Sequence, residues 1–462
     1  MVIVVDQYKK MTETPIPKLI LTLSVPTIIS MLVTNIYNLV DTAFVGKLGT
    51  SASGAVGVVF GFMSLIQAFG FMFGQGSGSI IARSLGQGNK ERASIHASMG
   101  FVSSFVCGAI ISGIGFLFLD DIVMLLGSTD TIAPYAKQYI VYITAAAPFM
   151  SSSLTLNNIL RYEGKASLGM VGLMSGAVLN MAADPILMFG LKLGIAGAGI
   201  ATALSQFLSW SILLSMFLRG KTETKLSLEN LRKGELMFVL NIMATGFPSL
   251  LRQGLNSLCT VLFNSRCAVY GDAAVSAMSI VTRIIFFSFS IALGIGQGFQ
   301  PVSGFNYGAG KYKRLKAAFR FAALASEGII IVGCVILMVF SGQLIGIFRD
   351  DPDVIKIGTR ALRLQAAAQL LLPPCMISEM LFQSTGKRLC ASLLSSLRSG
   401  LLLIPSLLIL SSVRGLAGIQ ESQPLAQLLS LPVTIPFVIH FFRSLPHEDA
   451  ATAFDKKTES AN

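Results

Sequence analysis

The chain has 462 residues, 53% of them hydrophobic and 13% charged, with a mean hydropathy of +0.70 and a formal net charge of +12. This composition is that of a polytopic membrane protein and rules out an ordinary soluble domain. Three histidines and one tryptophan leave little material for a metal centre or a base-stacking platform, so no nucleic-acid partner is expected.

The first apolar stretch, Leu19 to Val40, carries no charge and is long enough to cross a bilayer as a helix. Pro26 lies inside it and Asp41 ends it. Thr34, Tyr37 and Asn38 precede Asp41 by seven, four and three positions and share its helix face. A polar stripe on a spanning helix points to protein or to a water-filled cavity. The segment ahead of it, MVIVVDQYKKMTETPIPK, lacks the order of a cleaved signal, so the first span is expected to act as the insertion signal.

Further apolar segments follow at roughly 50–82, 97–119, 138–160, 166–190 and 193–218, then a polar interval from Arg219 to Glu235. A second set runs at roughly 236–265, 273–306, 321–348, 364–386, 389–413 and 422–442. If the N-terminus is cytoplasmic, 23 of the 35 Lys and Arg residues fall on cytoplasmic loops, while Asp120, Asp121, Asp130, Asp350, Asp351 and Asp353 fall on the opposite side. The positive-inside rule therefore accounts for the net charge and puts both termini in the cytoplasm. The six cysteines lie in or beside apolar runs without a CxxC pair and are expected to be reduced packing residues.

An internal repeat runs through the chain at one constant offset, set by the spacing of Pro26 and Pro248. The same offset joins Gly49 to Gly271, Gly74-Gln75-Gly76 to Gly296-Gln297-Gly298, Arg92 to Arg314, and Gly164-Lys165 to Gly386-Lys387. The expected fold is all-α, with twelve transmembrane helices in two six-helix lobes. Because six is even, the repeat is parallel and its pseudo-twofold axis lies along the membrane normal. The boundaries are an N-terminal lobe at 1–218, a cytoplasmic linker at 219–235, a C-terminal lobe at 236–443 and a cytoplasmic tail at 444–462. A short surface helix is expected around Leu226, Leu228 and Leu231.

Three stretches, NLVDTAFVGKLG, GQGSGSIIARSLGQGNKERA and GIGQGFQPVSGFNYGAGKYKRLKAA, resemble the multidrug and toxic compound extrusion transporters, and the resemblance covers Pro15 to about Arg443. It implies efflux of bulky, often cationic compounds driven by inward proton or sodium movement. It also implies coupling residues in the N-terminal lobe, matched here by Asp41, Asn157, Asn180, Asp184 and Thr202.

The residues themselves read the same way. Asn180 and Asp184 stack one turn apart just before Pro185. Two neighbouring carboxylates in low dielectric do not both stay ionised cheaply, which suits a proton carrier. With both ionised, the oxygens of Asp41, Asn180, Asp184 and Thr202 suit Na⁺ instead. No cofactor beyond H⁺ or Na⁺ is expected, and a monomer in a bacterial inner membrane is the expected state.

The second lobe is not a copy: Asp41 falls on Phe263, Asp184 on Ser406 and Asn157 on Glu379. Glu379 either attracts a cationic substrate or pairs with Arg252, Arg266, Arg283 or Arg398, for which Glu327 competes. Tyr37, Asn38, Gln75, Gln297 and Glu379 are the expected cavity residues, and Pro26 the bending point of the first helix. The glycine loops are turns or close-packing sites, since neither has a phosphate-cradle pattern. A membrane enzyme would need a convergent constellation, and the three histidines do not form one. A lipid-linked sugar flippase, expected to use a cationic cavity, is the alternative that Arg252, Arg283 and Arg398 support.

Overall fold

The structure is a computed structural model that describes residues 2–446 and Asp449. The described residues are helical throughout, joined by turns and short irregular loops. In chain order the first half comprises α1 (Val2–Glu13), α2 (Ile16–Gly46), α3 (Thr50–Gly86), α4 (Lys90–Leu117), α5 (Leu119–Leu125), α6 (Ala133–Tyr162), α7 (Ala166–Pro185) and α8 (Ile195–Leu218). The second comprises α9 (Leu228–Arg232), α10 (Leu236–Ala268), α11 (Asp272–Gly308), α12 (Tyr312–Val339), α13 (Ser341–Phe348), α14 (Pro352–Gln369), α15 (Leu372–Ser384), α16 (Arg388–Ser396) and α17 (Leu403–Ser444). Single π-helical turns follow α7 at Ile186–Gly190 and α16 at Leu397–Leu401.

Among the described residues, nine stretches are long and apolar enough to cross a membrane by length and composition. The last of them, Arg388–Ser444, is two crossings folded at Gly415, whose φ of 59° reverses the chain. Two further crossings are less apolar: α10 carries Arg252 and Arg266, and the tenth crossing is broken between α14 and α15. Together they make twelve crossings. The tenth breaks because Pro373 and Pro374 stand in the first turn of α15 and lack the N–H groups needed to continue α14.

Two expected boundaries are corrected. The segment at 321–348 is not one helix, since α12 ends at Val339 and α13 is a separate short helix. The buried Ser341 at that junction accepts a hydrogen bond from Arg363 Nε at 2.9 Å, which anchors α13 to α14. The tenth crossing begins at Pro352 rather than near 364, with Asp351 capping it by accepting from the N–H groups of Asp353 and Val354. A short helix does form in the polar interval: α9, capped by the Ser227 hydroxyl.

The repeat persists in the backbone. Gly49 and Gly271, Gly88 and Gly310, and Gly164 and Gly386 all take positive φ, and each pair keeps the offset of Pro26 and Pro248. Gly194 and Gly415 share φ and ψ to within a few degrees (57° and −135°; 59° and −135°), but their spacing falls one position short of that offset. The register of the last crossing is therefore shifted by a single position from that of the sixth.

Packing divides the molecule into a face that carries both ends of the described chain, α1 and the end of α17, and an opposite, far face. At the termini face a single apolar core joins both halves, with Leu19, Leu23, Ile81, Leu85 and Leu160 packed with Phe299, Phe305, Met380 and Phe382. Toward the far face the cores are separate. One holds Val45, Val59, Ile66, Ile143 and Ile195, the other Met278, Val281, Leu337, Ile345 and Leu362. The two lobes are thus joined at one end and parted at the other.

Between helices in lipid there is no hydrophobic drive, so close packing must hold this seam. A Cβ on Gly76 would collide with the Ile242 carbonyl oxygen, and one on Gly298 with Ser24 Oγ. The large apolar side chains on the outside, such as Leu21, Val25, Ile110, Ile114, Val332 and Val335, are exposed and face lipid.

The helix α1 crosses the closed end. Gln7 donates to the Glu163 carbonyl oxygen at 2.6 Å in the first half. Asn306 donates to the Met11 carbonyl oxygen at 3.2 Å, and Arg314 to that of Thr14 at 2.6 Å, in the second. Tyr8 and Met11 are buried in the shared core.

Candidate coupling and cavity site

Three helices bring the first lobe's polar groups together inside the bundle. α2 supplies Tyr37 and Asp41, α7 supplies Asn180 and Asp184, and α8 supplies Thr202. Asp184 and Asn180 are 0% and 2% exposed. The carboxyls of Asp41 and Asp184 face one another within hydrogen-bonding reach. Asn180 Nδ2 donates to Thr202 Oγ1 at 3.4 Å.

Four buried oxygens lack any hydrogen-bond partner: Asp41 Oδ1, Asn180 Oδ1 and both of Asp184. Buried polar atoms are nearly always paired, so this group is built to receive something. Pro185, directly after Asp184, supplies no N–H, and the helix continues only as the π-helical turn Ile186–Gly190.

The structure adds Tyr139, fully buried on α6, with its hydroxyl in hydrogen-bonding reach of Thr202. Nothing in the sequence near Tyr139 marks it, because its partner lies on another helix. Asn157 is placed elsewhere: its side chain packs against Gly169, three turns before Asn180 on α7 and roughly 16 Å away along that helix.

Toward the far face, one helix of each lobe carries exposed polar side chains. Asn38 and Thr42 are exposed on α2, and Asn256, Thr260 and Asn264 are exposed on one face of α10. Tyr37 is half-buried beside the carboxyl pair. The cross-lobe hydrogen bond nearest the far face, among the described residues, is Asn35 Nδ2 to Ser290 Oγ at 2.9 Å. Pro26 lies below it, buried in an unbroken α2.

Gln75 and Gln297 are buried in the seam between the lobes. Gln75 Oε1 accepts from Ser249 Oγ at 2.7 Å and from Arg252 at 3.4 Å, while Gln297 Oε1 accepts from Arg161. Glu379, 1% exposed, accepts from Arg252 at 2.5 Å and from Ser395 Oγ at 2.6 Å, with Arg398 at 3.8 Å. Its carboxylate is therefore engaged by two arginines of its own lobe.

At the termini face a second acid is buried. Glu163, just past α6, accepts from the backbone N–H groups of Glu223 (2.8 Å) and Thr224 (3.1 Å) and from the Thr224 hydroxyl. Burial pushes its carboxyl up to about 7 despite these donors. Glu223 pairs with Lys90 at 3.0 Å and Lys165 at 2.8 Å. Burial opposes its ionisation, but the two ammonium groups outweigh it and hold the carboxyl below the usual range. Residues after Leu218 are thus clamped onto α4 and α6.

Twelve crossings in two repeated lobes, parted at one end and with acids buried among the helices, are the architecture of a membrane transporter. The MatE family profile matches residues 26–186 and again residues 248–409, so the two matches begin at Pro26 and Pro248, the residues that set the repeat. The chain belongs to the MatE family.

It is 26% identical to the multidrug export protein MepA of Staphylococcus haemolyticus, over 96% of this chain and 97% of that one. It is also 26% identical to MepA of Staphylococcus aureus, over 92% and 94%. Among solved structures, it superposes on an outward-facing multidrug resistance MATE family transporter of the MOP superfamily with a TM-score of 0.89. The identity there is 25%, covering 94% of this chain and 98% of that one.

Proposed function

We propose that this transporter exports bulky, often cationic compounds in exchange for protons or sodium ions moving inward. The observation that carries the proposal is the facing pair Asp41–Asp184, with four buried oxygens left unpartnered. Such a group holds a proton shared between two carboxyls, or a sodium ion among oxygens, and both would be cargo in transit. The export of drugs by the MepA relatives supports the substrate class.

The cationic loops support an orientation with the termini face in the cytoplasm of a bacterial inner membrane. On that reading the parted lobes open outward. The lobes are taken as 1–218 and 236–443, linked by 219–235, in a monomer. A drug and an ion must favour opposite arrangements of the lobes, since a ligand shifts an equilibrium only by its differential affinity. Ion binding at Asp41 and Asp184 removes charge from the first lobe. The missing N–H of Pro26 leaves the Thr22 carbonyl without its helical partner, so α2 can bend there and shrink the drug site.

The test is dye efflux by proteoliposomes under an imposed pH gradient or an imposed Na⁺ gradient. Wild type should respond to at least one. Asp184→Asn should insert and fold, yet show no gradient-driven efflux. Normal gradient-driven export by that variant would overturn the assignment of the pair.

A further inference from the structure

The charges in the second lobe do not cancel. Arg252 and Arg398 converge on the single carboxylate of Glu379, and their side chains are only 10% and 14% exposed. Across the seam a third guanidinium, Arg161 of the first lobe, stands near Arg252 and, among the described residues, bonds to the amides of Gln297 and Asn158 with no carboxylate partner. An uncompensated charge at membrane depth is costly and marks a functional site by default.

Arg252 and Arg398 are not equivalent. Arg252 makes the short 2.5 Å contact to Glu379 and also reaches Gln75. Arg398 reaches Glu379 only at 3.8 Å and otherwise lies over the Phe289 ring, 6.0 Å from its centre. Arg398 stands in the π-helical turn Leu397–Leu401, a distortion that often marks functional positions. Its neighbour Ser399 keeps a buried hydroxyl with no partner.

Arg252, Glu379 and Phe289 belong to α10, α15 and α11, so Arg398 is ringed by helices of its own lobe. Three helices of its lobe thus surround the guanidinium and leave only 14% of the side chain exposed. On α10 the polar face Asn264, Thr260, Asn256 leads down, turn by turn, to Arg252.

We propose that Arg398, supported by Arg252, forms an anion-accepting subsite in the second-lobe wall that takes the carboxylate of a zwitterionic amphiphile. The inference rests on the export reading above and extends it: the first lobe presents the Asp41–Asp184 carboxyls, while in the second two buried guanidiniums share the one carboxylate of Glu379. A substrate bearing an ammonium and a carboxylate spans the two. The planar guanidinium suits a carboxylate, and Phe289 provides the stacking surface.

The experiment uses the full-length protein and a matched pair of dyes: rhodamine B, with a free carboxylate at neutral pH, and its ethyl ester, without one. Binding to purified protein is read by fluorescence polarisation, and efflux from proteoliposomes by dequenching. Arg398→Gln should weaken rhodamine B binding and efflux about tenfold or more while leaving the ester within about twofold. Arg398→Lys should restore part of the difference.

Equal loss for both dyes, or no loss for either, would overturn the subsite. So would displacement of rhodamine B from wild type by chloride alone, which would make this a site for inorganic anions. Should wild type bind both dyes but export neither, the export reading fails while the binding arm still decides the subsite.

Discussion

Gly308 and Arg83 meet backbone to backbone across the seam: a Cβ on Gly308 would overlap the Arg83 carbonyl oxygen. The repeat reproduces the contact in reverse, with a Cβ on Gly86 overlapping the carbonyl oxygen of Phe305, the residue that the repeat matches to Arg83. Two such contacts, related by the pseudo-twofold axis, lock the termini face. Gly308→Ala should therefore destabilise the closed seam by about 1–3 kcal/mol, since no backbone oxygen can yield that far. Gly57, with nothing within 4 Å of an added Cβ, is the control. Gly57→Ala should be neutral or stabilise by about 0.5–1 kcal/mol through helix entropy. Thermal unfolding of both variants in detergent checks the opposite signs.

The two seam glutamines should differ in weight. Removing Gln297 takes the Nη1 partner from a buried guanidinium, whereas removing Gln75 leaves Ser249 its bond to Gln383. Gln297→Ala should cost about 2–4 kcal/mol and Gln75→Ala about 1–2 kcal/mol. Unfolding midpoints of the two variants, compared with that of Arg161→Gln/Gln297→Ala, measure the pair. The double variant should recover stability relative to Gln297→Ala alone.

On the proposed coupling, Asp41 and Asp184 act as one unit, and their substitutions should not add. Asp41→Asn and Asp184→Asn should each abolish gradient-driven efflux, and the double variant should be no worse. Pro26→Ala should leave the carboxyl pair intact and ion binding unchanged while slowing turnover. Ion-dependent quenching and efflux, measured on the same vesicles, separate the two effects. Wild-type turnover by Pro26→Ala would remove the bending step.

Glu163 gives a pH signature away from the membrane interior. Its carboxyl is raised from 4.5 to about 7 when folded, so the native state holds the proton more tightly than the unfolded chain. Its contribution is fully present below pH 4.5 and is lost as the pH rises through 7, by on the order of 3 kcal/mol. Glu223, held low, acts in the opposite sense and only in more acidic solution. Melting temperatures of wild type and Glu163→Gln between pH 5 and pH 8 should differ in slope, with the variant flatter.

Much of this architecture was legible in the sequence because a duplicated membrane protein writes it twice. Pro26 and Pro248, or Gly164 and Gly386, show their spacing without any structure. The first-lobe acids were legible because a carboxylate inside an apolar run has few innocent explanations.

Partners were not legible. Tyr139 on α6 reaches Thr202 on α8 with the whole of α7 between them in sequence, and Arg161 in the first lobe bonds to Gln297 in the second. Asn157 fits the expected pattern in sequence, but the packing of α6 against Gly169 places it turns away from Asn180. For Glu379 the sequence offered four arginines, and only the fold of α15 against α10 and α16 selects Arg252 and Arg398. The break after Val339 leaves no mark on hydropathy, since α13 is as apolar as the helix it follows.

The docking of α1 sets an order for biogenesis. This helix leaves the ribosome well before the Asn306 and Arg314 groups that hold it, which lie far downstream, in α11 and α12. At elongation rates of about 5–20 residues per second, roughly 15–60 s separate its synthesis from that of its anchors. During that interval Tyr8 and Met11 have no second-half surface to cover them, and α1 can be held only to the first half, through Gln7 and the Glu163 carbonyl. Completion of α12 is thus the moment at which the newborn protein can first close its own door, and a chain stalled before Arg314 leaves the insertion machinery unlatched.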